Sequence, residues 1–258
     1  MTRTALITGV AGGIGRAVAA RLALDGLRVA GIDVVDPRQD GVDFHRADVT
    51  DAEQVAGAVR QVLADTGRVD VLVACAGVTE GKPLHATSER EWESVLASNL
   101  TSVFLSVREV LPAMIDAGSG VVVTIGSVLH RTAAPGLPAY AAAKGAVAAL
   151  NRQLAVDYGR YGIVFVTLSP GWVRTPATEG RLGPEGDLER LRESNPLRTI
   201  AEPGHVADAV AFAVSPAAAL LTGSELVLDA GASVVSPAGL LRDGQRQAMG
   251  LPPLGPPR

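Results

Sequence analysis

The stretch TALITGVAGGIGRAV, residues 4–18, joins a short apolar run to a glycine-rich loop and then to a segment with helical spacing. The run at 4–8 predicts a buried strand, and Ile14, Val18 and Leu22 recur at the spacing of one helix face. Glycines between a strand and a helix let the backbone turn tightly and approach a pyrophosphate, which the helix N-terminus attracts. The stretch therefore predicts a nucleotide-binding loop that opens an α/β fold, with an ordinary tight turn as the alternative.

Apolar, β-branched runs alternate with longer alanine-rich and charge-bearing segments along the whole chain. The runs predict strands over 4–8, 28–33, 42–47, 69–74, 120–126, 162–169 and 224–230. The segments between them predict helices over 13–25, 51–65, 89–118 in one or two pieces, 138–159 and 203–214. Strands that are apolar on both faces are typical of a parallel sheet covered on both sides.

The pattern thus predicts a single Rossmann-type domain, a doubly wound parallel sheet of about seven strands flanked by helices, over residues 1–235. No linker or composition break divides this range. Residues 236–258 form a Pro/Gly-rich C-terminal tail, for which we expect an extended or disordered segment or one laid on a neighbour.

Composition and charge narrow the function classes. The apolar fraction of 47% and charged fraction of 19% suit a globular protein with a sizeable core. The net charge of −4 offers no basic excess for nucleic acid, and no apolar stretch approaches the about eighteen residues of a membrane span. The one cysteine, Cys75, permits no intrachain disulfide. We expect a cytoplasmic protein without nucleic-acid, membrane or metal partners.

The predicted strands end in residues that suit a ligand site. In open α/β sheets, ligands bind at the carboxyl ends of the strands. Five of these ends carry Gly9, Asp33, Gly77, Ser127 and the pair Pro170-Gly171. All of them are expected to line one crevice.

Asp33, at the end of the second predicted strand, bears on the choice of cofactor. A carboxylate there can accept hydrogen bonds from adenosine ribose hydroxyls and would repel a 2′-phosphate. Neither position 12 nor position 34 holds Arg or Lys, and Arg38 is the nearest cation that could alter this preference. NAD is therefore predicted in preference to NADP, with a turn aspartate as the alternative interpretation.

Tyr140 stands four residues before Lys144 in the alanine-rich stretch AYAAAKGAV, residues 139–147. On a helix these two side chains share one face, so an ammonium lies near a phenol. The pair alone is equally typical of an amphipathic helix with a snorkelling lysine. In a partly dry cleft, however, a nearby cation favours the phenolate, which would let the tyrosine act as an acid and base.

The sequence resembles the short-chain dehydrogenase/reductase family from about residue 3 to 232. The resemblance begins with Thr8-Gly9, Gly13-Ile14-Gly15 and Tyr140-x-x-x-Lys144. Ser127 stands thirteen residues before Tyr140, and ADVTD (47–51), SNL (98–100), SPGWVRTP (169–176) and TGSELVLDAG (222–231) match further family segments. The chain departs from the family's Asn-Asn-Ala-Gly after the fourth strand, where it has Ala-Cys-Ala-Gly at 74–77. This departure removes an asparagine side chain that would stiffen the strand end, and Cys75 is interpreted as a small core residue.

The resemblance implies an NAD-preferring oxidoreductase that moves a hydride between a secondary alcohol and its ketone. It implies that Tyr140 is the acid/base, that Ser127 holds the substrate oxygen, that Lys144 also holds the nicotinamide ribose, and that Asn99 anchors a water. The implied cofactor-binding residues are Gly9, Gly12, Gly13, Ile14, Gly15, Asp33, Asp48, Val49, Ala76, Gly77, Tyr140, Lys144, Pro170, Gly171, Val173 and Thr175. It also implies a homo-oligomer, a tetramer or dimer.

The substrate side is the least defined. The resemblance implies a lid at about 176–200. The polar and aromatic residues expected near a substrate, together with Ser127, are His130, Trp172, Arg174 and Arg181, with Glu80, Lys82 and Glu179 as further candidates. Several polar groups together favour a sugar, polyol or cyclic diol. The alternatives are an NADPH-dependent carbonyl reductase and a non-catalytic nucleotide sensor.

Overall fold

The computed structural model of the chain describes residues 2–180, 186–236 and 243–253, apart from the side chains of residues 186 and 187. Its strands are β1 (Thr4–Thr8), β2 (Arg28–Asp33), β3 (Val42–Arg46), β4 (Val71–Ala74), β5 (Gly120–Ile125), β6 (Ile163–Pro170) and β7 (Ser224–Leu228). They form one parallel sheet in the order β3-β2-β1-β4-β5-β6-β7. The predicted doubly wound α/β fold is confirmed, and the strand order reverses between β1 and β4.

Helices cover both faces of the sheet. They are α1 (Gly13–Leu24), α2 (Ala52–Thr66), α3 (Glu89–Leu96), α4 (Ser102–Ala117), α5 (Pro138–Tyr158), α6 (Pro176–Glu179), α7 (Gly186–Glu193), α8 (Pro203–Ala213) and α9 (Asp243–Ala248). A π-helical turn at Ala97–Thr101 joins α3 to α4, so the segment predicted as one or two helices is interrupted once. No helix in the described ranges has the length and apolar character that a bilayer crossing requires.

Most of the core lies in two apolar clusters, one on each face of the sheet, and a smaller third cluster joins Val95, Ala139 and Tyr140. Along β1, Leu6 belongs to the cluster beneath α2, α4 and α5, whereas Ala5 and Ile7 belong to the cluster beneath α1 and α8. The same alternation holds in β4, where Leu72 faces one cluster and Val73 the other. Successive side chains of a strand point to opposite faces, and both faces are covered, which explains the continuous apolar runs in the sequence.

Part of the C-terminal tail, predicted to be extended, disordered or laid on a neighbour, is helical in the described residues. Residues Asp243–Ala248 form helix α9, and Arg246, only 6% exposed, lies against α7. Its guanidinium pairs with Glu193 at 3.2 Å and donates to the carbonyl of Pro252 at 2.7 Å. A charged side chain can be buried at this position because a carboxylate and a carbonyl both bind it.

Candidate active site

A crevice of about 1220 Å³ runs along the carboxyl edge of the sheet, across the point where the strand order reverses. The four residues implied as catalytic, Asn99, Ser127, Tyr140 and Lys144, all line it. So do the residues implied for the cofactor: Gly9, Gly12, Gly13, Ile14, Gly15, Asp33, Asp48, Val49, Ala76, Gly77, Pro170, Gly171, Val173 and Thr175. Residues from strand ends far apart in sequence are therefore brought to one groove.

The loop between β1 and α1 requires glycine at two positions. Gly9 has φ of +70°, and a Cβ there would lie 2.7 Å from the Cα of Ala76. A Cβ on Gly15 would lie 2.1 Å from the carbonyl oxygen of Gly9. Neither contact is tolerable for a side chain, so these glycines permit the close packing of loop, helix and β4 end that shapes the floor of the crevice.

The N-terminus of α1 suits a pyrophosphate. Gly12 is the N-cap residue and has no side chain with which to cap the helix. The first N–H groups of a helix have no partner within it, so those of α1 remain available at the edge of the crevice. Together with the helix dipole, these groups could hold an anion such as the pyrophosphate of a dinucleotide.

Asp33 takes part in holding this loop as well as lining the crevice. Its carboxylate accepts the backbone N–H of Ala11 at 2.9 Å and that of Val35 at 3.1 Å. Nearby, the Arg16 guanidinium donates to the carbonyls of Ala11 and Pro37, at 2.9 and 2.7 Å. The carboxylate thus stands at the position predicted from the sequence, and the one guanidinium that also lines the crevice is bound to backbone carbonyls in the described structure.

The end of β4 is held by the side chain of Thr8, which the sequence placed only at the start of the glycine loop. The hydroxyl oxygen of Thr8 accepts the backbone N–H groups of Cys75 and Ala76, at 3.2 and 3.3 Å. These bonds tie β4 to β1 despite the missing asparagine. Cys75 is half-buried, and desolvation raises the pKa of its thiol to about 12 against the smaller, opposing effect of the Lys144 ammonium. A thiol of such high pKa is a poor nucleophile at neutral pH.

Asn99 lies within the π-helical turn and is fully buried. Its amide nitrogen donates to the carbonyls of Val95 and Val78, at 3.0 and 2.9 Å, and so ties the helix to the segment after β4. Its Oδ1 has no hydrogen-bond partner in the described structure, and a Cβ on Gly77 would come within 2.5 Å of it. An unpaired buried acceptor beside the crevice is costly unless a bound donor, such as water or a ligand, completes it.

Lys144 connects the helix that carries Tyr140 to the strand that leads to Ser127. Its ammonium donates to the carbonyl of Ile125 at 2.8 Å and lies 5.6 Å from the centroid of the Tyr140 ring. Tyr140 is 9% exposed and Lys144 5% exposed, so the cation is largely removed from solvent near the phenol. Ser127, 6% exposed, accepts the backbone N–H of Leu129 at 3.2 Å through its hydroxyl oxygen. An ammonium and a phenol therefore lie close together, both largely removed from solvent, at the edge of the crevice.

Several of the residues expected near a substrate do not line the crevice. Arg174 lies near the carboxylates of Glu202 and Glu179, at 3.4 and 3.9 Å, and is not among the described residues that line the crevice. Trp172 is half-buried and also does not line it. Arg181 lies outside the described residues.

Two further candidates face other partners, and one faces the crevice. The ring of His130 lies against the carbonyl of Ser127 and the carboxylate of Glu225, away from the described lining. Lys82 pairs with Glu91 at 2.8 Å. Glu80 does line the crevice. The structure therefore retains Glu80 at the groove and assigns protein partners to His130 and Lys82.

Two serines of the lining were not identified from the sequence. Ser94 and Ser98 border the crevice, and the hydroxyl of Ser98 donates to the carbonyl of Ser94 at 3.0 Å. Their spacing of four residues, ending one residue before Asn99, places them on one face of a helix. That periodicity was an available signal for their shared position.

The chain matches known proteins over nearly its whole length. A family model described as "Enoyl-(Acyl carrier protein) reductase" matches residues 9–233. The chain is 36% identical over 244 residues to 2-(R)-hydroxypropyl-CoM dehydrogenase of Xanthobacter autotrophicus, covering 89% of this chain and 98% of the relative. It is 36% identical to D-threitol dehydrogenase of Mycolicibacterium smegmatis, covering 90% and 93%. The crystal structure of levodione reductase superposes with a TM-score of 0.86 at 33% identity, covering 91% of this chain and 98% of that one.

Proposed function

Since the chain belongs to the short-chain dehydrogenase/reductase family, we propose that it transfers a hydride between a secondary alcohol and its ketone with NAD as the cofactor. The chain is an oxidoreductase of the short-chain alcohol dehydrogenase/reductase type. The observation that carries the proposal is the convergence of Ser127, Tyr140 and Lys144 on one crevice with the glycine loop. A bound nicotinamide ring would accept or supply the hydride.

The residues of the chain would handle the proton and the substrate oxygen. In the oxidation direction, the Tyr140 phenolate takes the hydroxyl proton while the carbinol carbon loses its hydride. Lys144 stabilises the phenolate through its charge, and the Ser127 hydroxyl stabilises the charge that develops on the substrate oxygen. Asn99 holds a water through its unpaired Oδ1 and so connects the tyrosine with solvent. Each role is supported by the position of the side chain at the crevice.

The preference for NAD over NADP belongs to the same proposal. The support is the Asp33 carboxylate at the crevice, which would accept ribose hydroxyl protons and repel a 2′-phosphate. Arg16, the one guanidinium of the described lining, is bound to carbonyl oxygens of Ala11 and Pro37. Two of its five N–H donors are therefore engaged in holding the loop.

The proposed substrate is a hydroxylated molecule such as a sugar, polyol or cyclic diol. Glu80, Thr79 and the two serines Ser94 and Ser98 give the described lining several hydroxyl and carboxylate groups. Such groups bind substrate hydroxyls by hydrogen bonds and are left unpaired by an apolar ketone. A relative that acts on a polyol, D-threitol dehydrogenase, agrees with this class.

Tyr140→Phe is the direct test of the mechanism. The variant keeps the ring but loses the hydroxyl, so its turnover should fall by about a hundredfold or more. Turnover is measured from nicotinamide absorbance across a panel of sugars, polyols and cyclic alcohols. Binding of NADH, measured by fluorescence, should be retained. Turnover equal to that of the unmodified protein would refute the assignment. If the unmodified protein bound NADH but turned over no substrate, the result would favour a nucleotide sensor. If turnover were faster with NADPH than with NADH, the result would favour a carbonyl reductase.

We also propose that the chain acts in the cytoplasm as a homo-oligomer, a dimer or tetramer. Apolar side chains on two helices are exposed, with Phe104 at 47% and Val156 at 79%, and β7 leaves one edge of the sheet unpaired within the described chain. Exposed apolar side chains and an open strand edge favour contact with another copy. Light scattering on the purified protein tests this, and a stable monomer would refute it.

A further inference from the structure

His130 lies behind Ser127 and not at the substrate side of the crevice. It ends the single helical turn that follows Ser127, and its ring is 10% exposed. The ring Nδ1 is within hydrogen-bonding distance of the Ser127 carbonyl oxygen, and Nε2 is 3.2 Å from Oε1 of Glu225. The ring therefore spans the gap between the peptide of Ser127 and a carboxylate on β7.

Glu225 is a fixed point for this ring. It sits in β7 in register with Thr167 of β6, and its side chain is 8% exposed. One carboxylate oxygen binds the guanidinium of Arg131, and the other, Oε1, makes no hydrogen bond in the described structure although it lies 3.2 Å from Nε2 of His130. The carboxylate thus has an unpaired acceptor beside the His130 ring.

The partners of the ring fix where its proton lies. A carbonyl oxygen only accepts, so Nδ1 must carry a proton to bond to Ser127. Nε2 accepts from Nε of Arg131, which lies 3.1 Å away, and only a proton on Nε2 would let it donate to the unpaired Oε1 of Glu225. The bond from Nδ1 to the Ser127 carbonyl is made in both protonation states.

We propose that His130 is a positioning residue for Ser127, and that Glu225 orients its ring. The inference rests on the proposed role of Ser127 in binding the substrate oxygen. The only other contact that the described structure gives the Ser127 carbonyl is the long one of 3.4 Å from the backbone N–H of His130. Without the ring, the Ser127 carbonyl keeps only that long contact.

Rotation of the Ser127 peptide would move the Ser127 hydroxyl relative to the substrate oxygen. The hydroxyl is now held by the N–H of Leu129, two residues along the same turn. A turn that shifts as a unit carries both groups with it. The misplacement of a catalytic group by about 1 Å can cost about a hundredfold in rate, whereas cofactor binding across the groove is unaffected.

Three substitutions at His130 separate positioning from a merely structural role. In His130→Asn the amide nitrogen can occupy the place of Nδ1 and keep the bond to Ser127. In His130→Gln the amide reaches the place of Nε2 and keeps only the contact with Glu225. We expect His130→Ala to lower kcat by about ten- to a hundredfold with NADH affinity unchanged, the Asn variant to restore most of it, and the Gln variant to restore little. Wild-type kcat in the Ala variant, or equal rescue by Asn and Gln, would overturn the proposal.

The role of Glu225 is tested by comparing the single variants Glu225→Gln and His130→Ala with the double variant. Glu225→Gln should lower kcat in the unmodified chain and add nothing to His130→Ala, since one residue acts through the other. Additive losses would show that Glu225 acts independently of the histidine and would overturn its assigned role. Melting temperature and NADH fluorescence identify any variant that has lost its fold.

Failure of this inference and failure of the proposed function have different signatures. An unmodified protein that turns over no alcohol refutes the function, while an active protein that is insensitive to His130→Ala refutes only the positioning role. A crystal structure of His130→Ala gives a readout that does not depend on activity. We expect a rotated Ser127 peptide and loss of the bond from Leu129, and an unchanged Ser127 conformation would overturn the proposal.

Discussion

Replacing Asp33 with Ala tests the cofactor preference and the architecture of the glycine loop together. The carboxylate accepts two backbone N–H groups, from Ala11 at 2.9 Å and Val35 at 3.1 Å. A hydrogen bond to a charged acceptor contributes about 1.5–3 kcal/mol when buried, and the half-buried setting of Asp33 reduces the sum of the two to about 1–2 kcal/mol. For a chain of this size, each kcal/mol corresponds to about 2–4 °C in Tm, so the ligand-free variant should melt about 2–8 °C lower.

The substitution should weaken the binding of NAD and strengthen the binding of NADP. NAD would lose bonds from its ribose hydroxyls to a carboxylate, about 1.5–3 kcal/mol, which is a rise of about ten- to a hundredfold in Kd. NADP gains from removal of a negative charge that faces its 2′-phosphate. The ratio of the two dissociation constants should therefore change by at least about tenfold.

The assay is fluorescence titration of NADH and NADPH into the purified variant, beside thermal melting without cofactor. Asp36→Ala is the matched control, because Asp36 lies in the same connection and also accepts a backbone N–H, from Arg38 at 2.7 Å, but does not line the crevice. An unchanged NADH-to-NADPH ratio in the Asp33 variant would refute the ribose assignment. An equal change in the Asp36 variant would mean that local charge alone sets the preference.

Three further perturbations have defined outcomes. Gly15→Ala, whose Cβ would meet a loop carbonyl at 2.1 Å, should abolish dinucleotide binding in a fluorescence titration, and retained affinity would contradict the packing of the loop. The hydrogen bond from Lys82 is the main reason that the pKa of Glu91 falls to about 2 from its ordinary 4.5; the stabilisation is therefore complete above about pH 4.5 and lost as the pH falls towards 2. Melting curves of Glu91→Gln and the unmodified chain should converge over that window, and a constant difference would refute it. Arg246→Ala removes the ion pair with Glu193 and should speed amide hydrogen exchange in α7, whereas unchanged exchange would show that α9 does not hold that helix.

The sequence predicted much of the crevice because its signals are local. The loop glycines, Asp33 and the Tyr140–Lys144 pair each follow from spacing within one strand, loop or helix turn, and parallel strands bring their carboxyl ends to one edge. The strand assignments were similarly robust, since burial on both faces produces continuous apolar runs that few other structures require. Boundaries shifted by a residue or two where strand ends enter loops.

The rest depended on partners distant in the chain. The sequence predicted that His130 lies beside the substrate because it follows Ser127. In the structure its ring lies instead next to Glu225, which is ninety-five residues later in the chain. The same holds for Arg174, which lies near Glu202 and Glu179 and away from the groove. A long polar side chain can reach several neighbours, and only the folded chain fixes which one is nearest.

What the sequence by itself determined was the fold, the place of the crevice and the kinds of group at its strand ends, because these follow from periodicity and from the fixed geometry of parallel sheets. What only the tertiary structure decided was how those groups are held. The Thr8 hydroxyl accepts two backbone N–H groups at the end of β4, and Oδ1 of Asn99, in the π-helical turn, makes no hydrogen bond in the described structure. Both depend on hydrogen bonds between segments that come into contact only after folding, and the pattern of residues along the chain does not show such contacts.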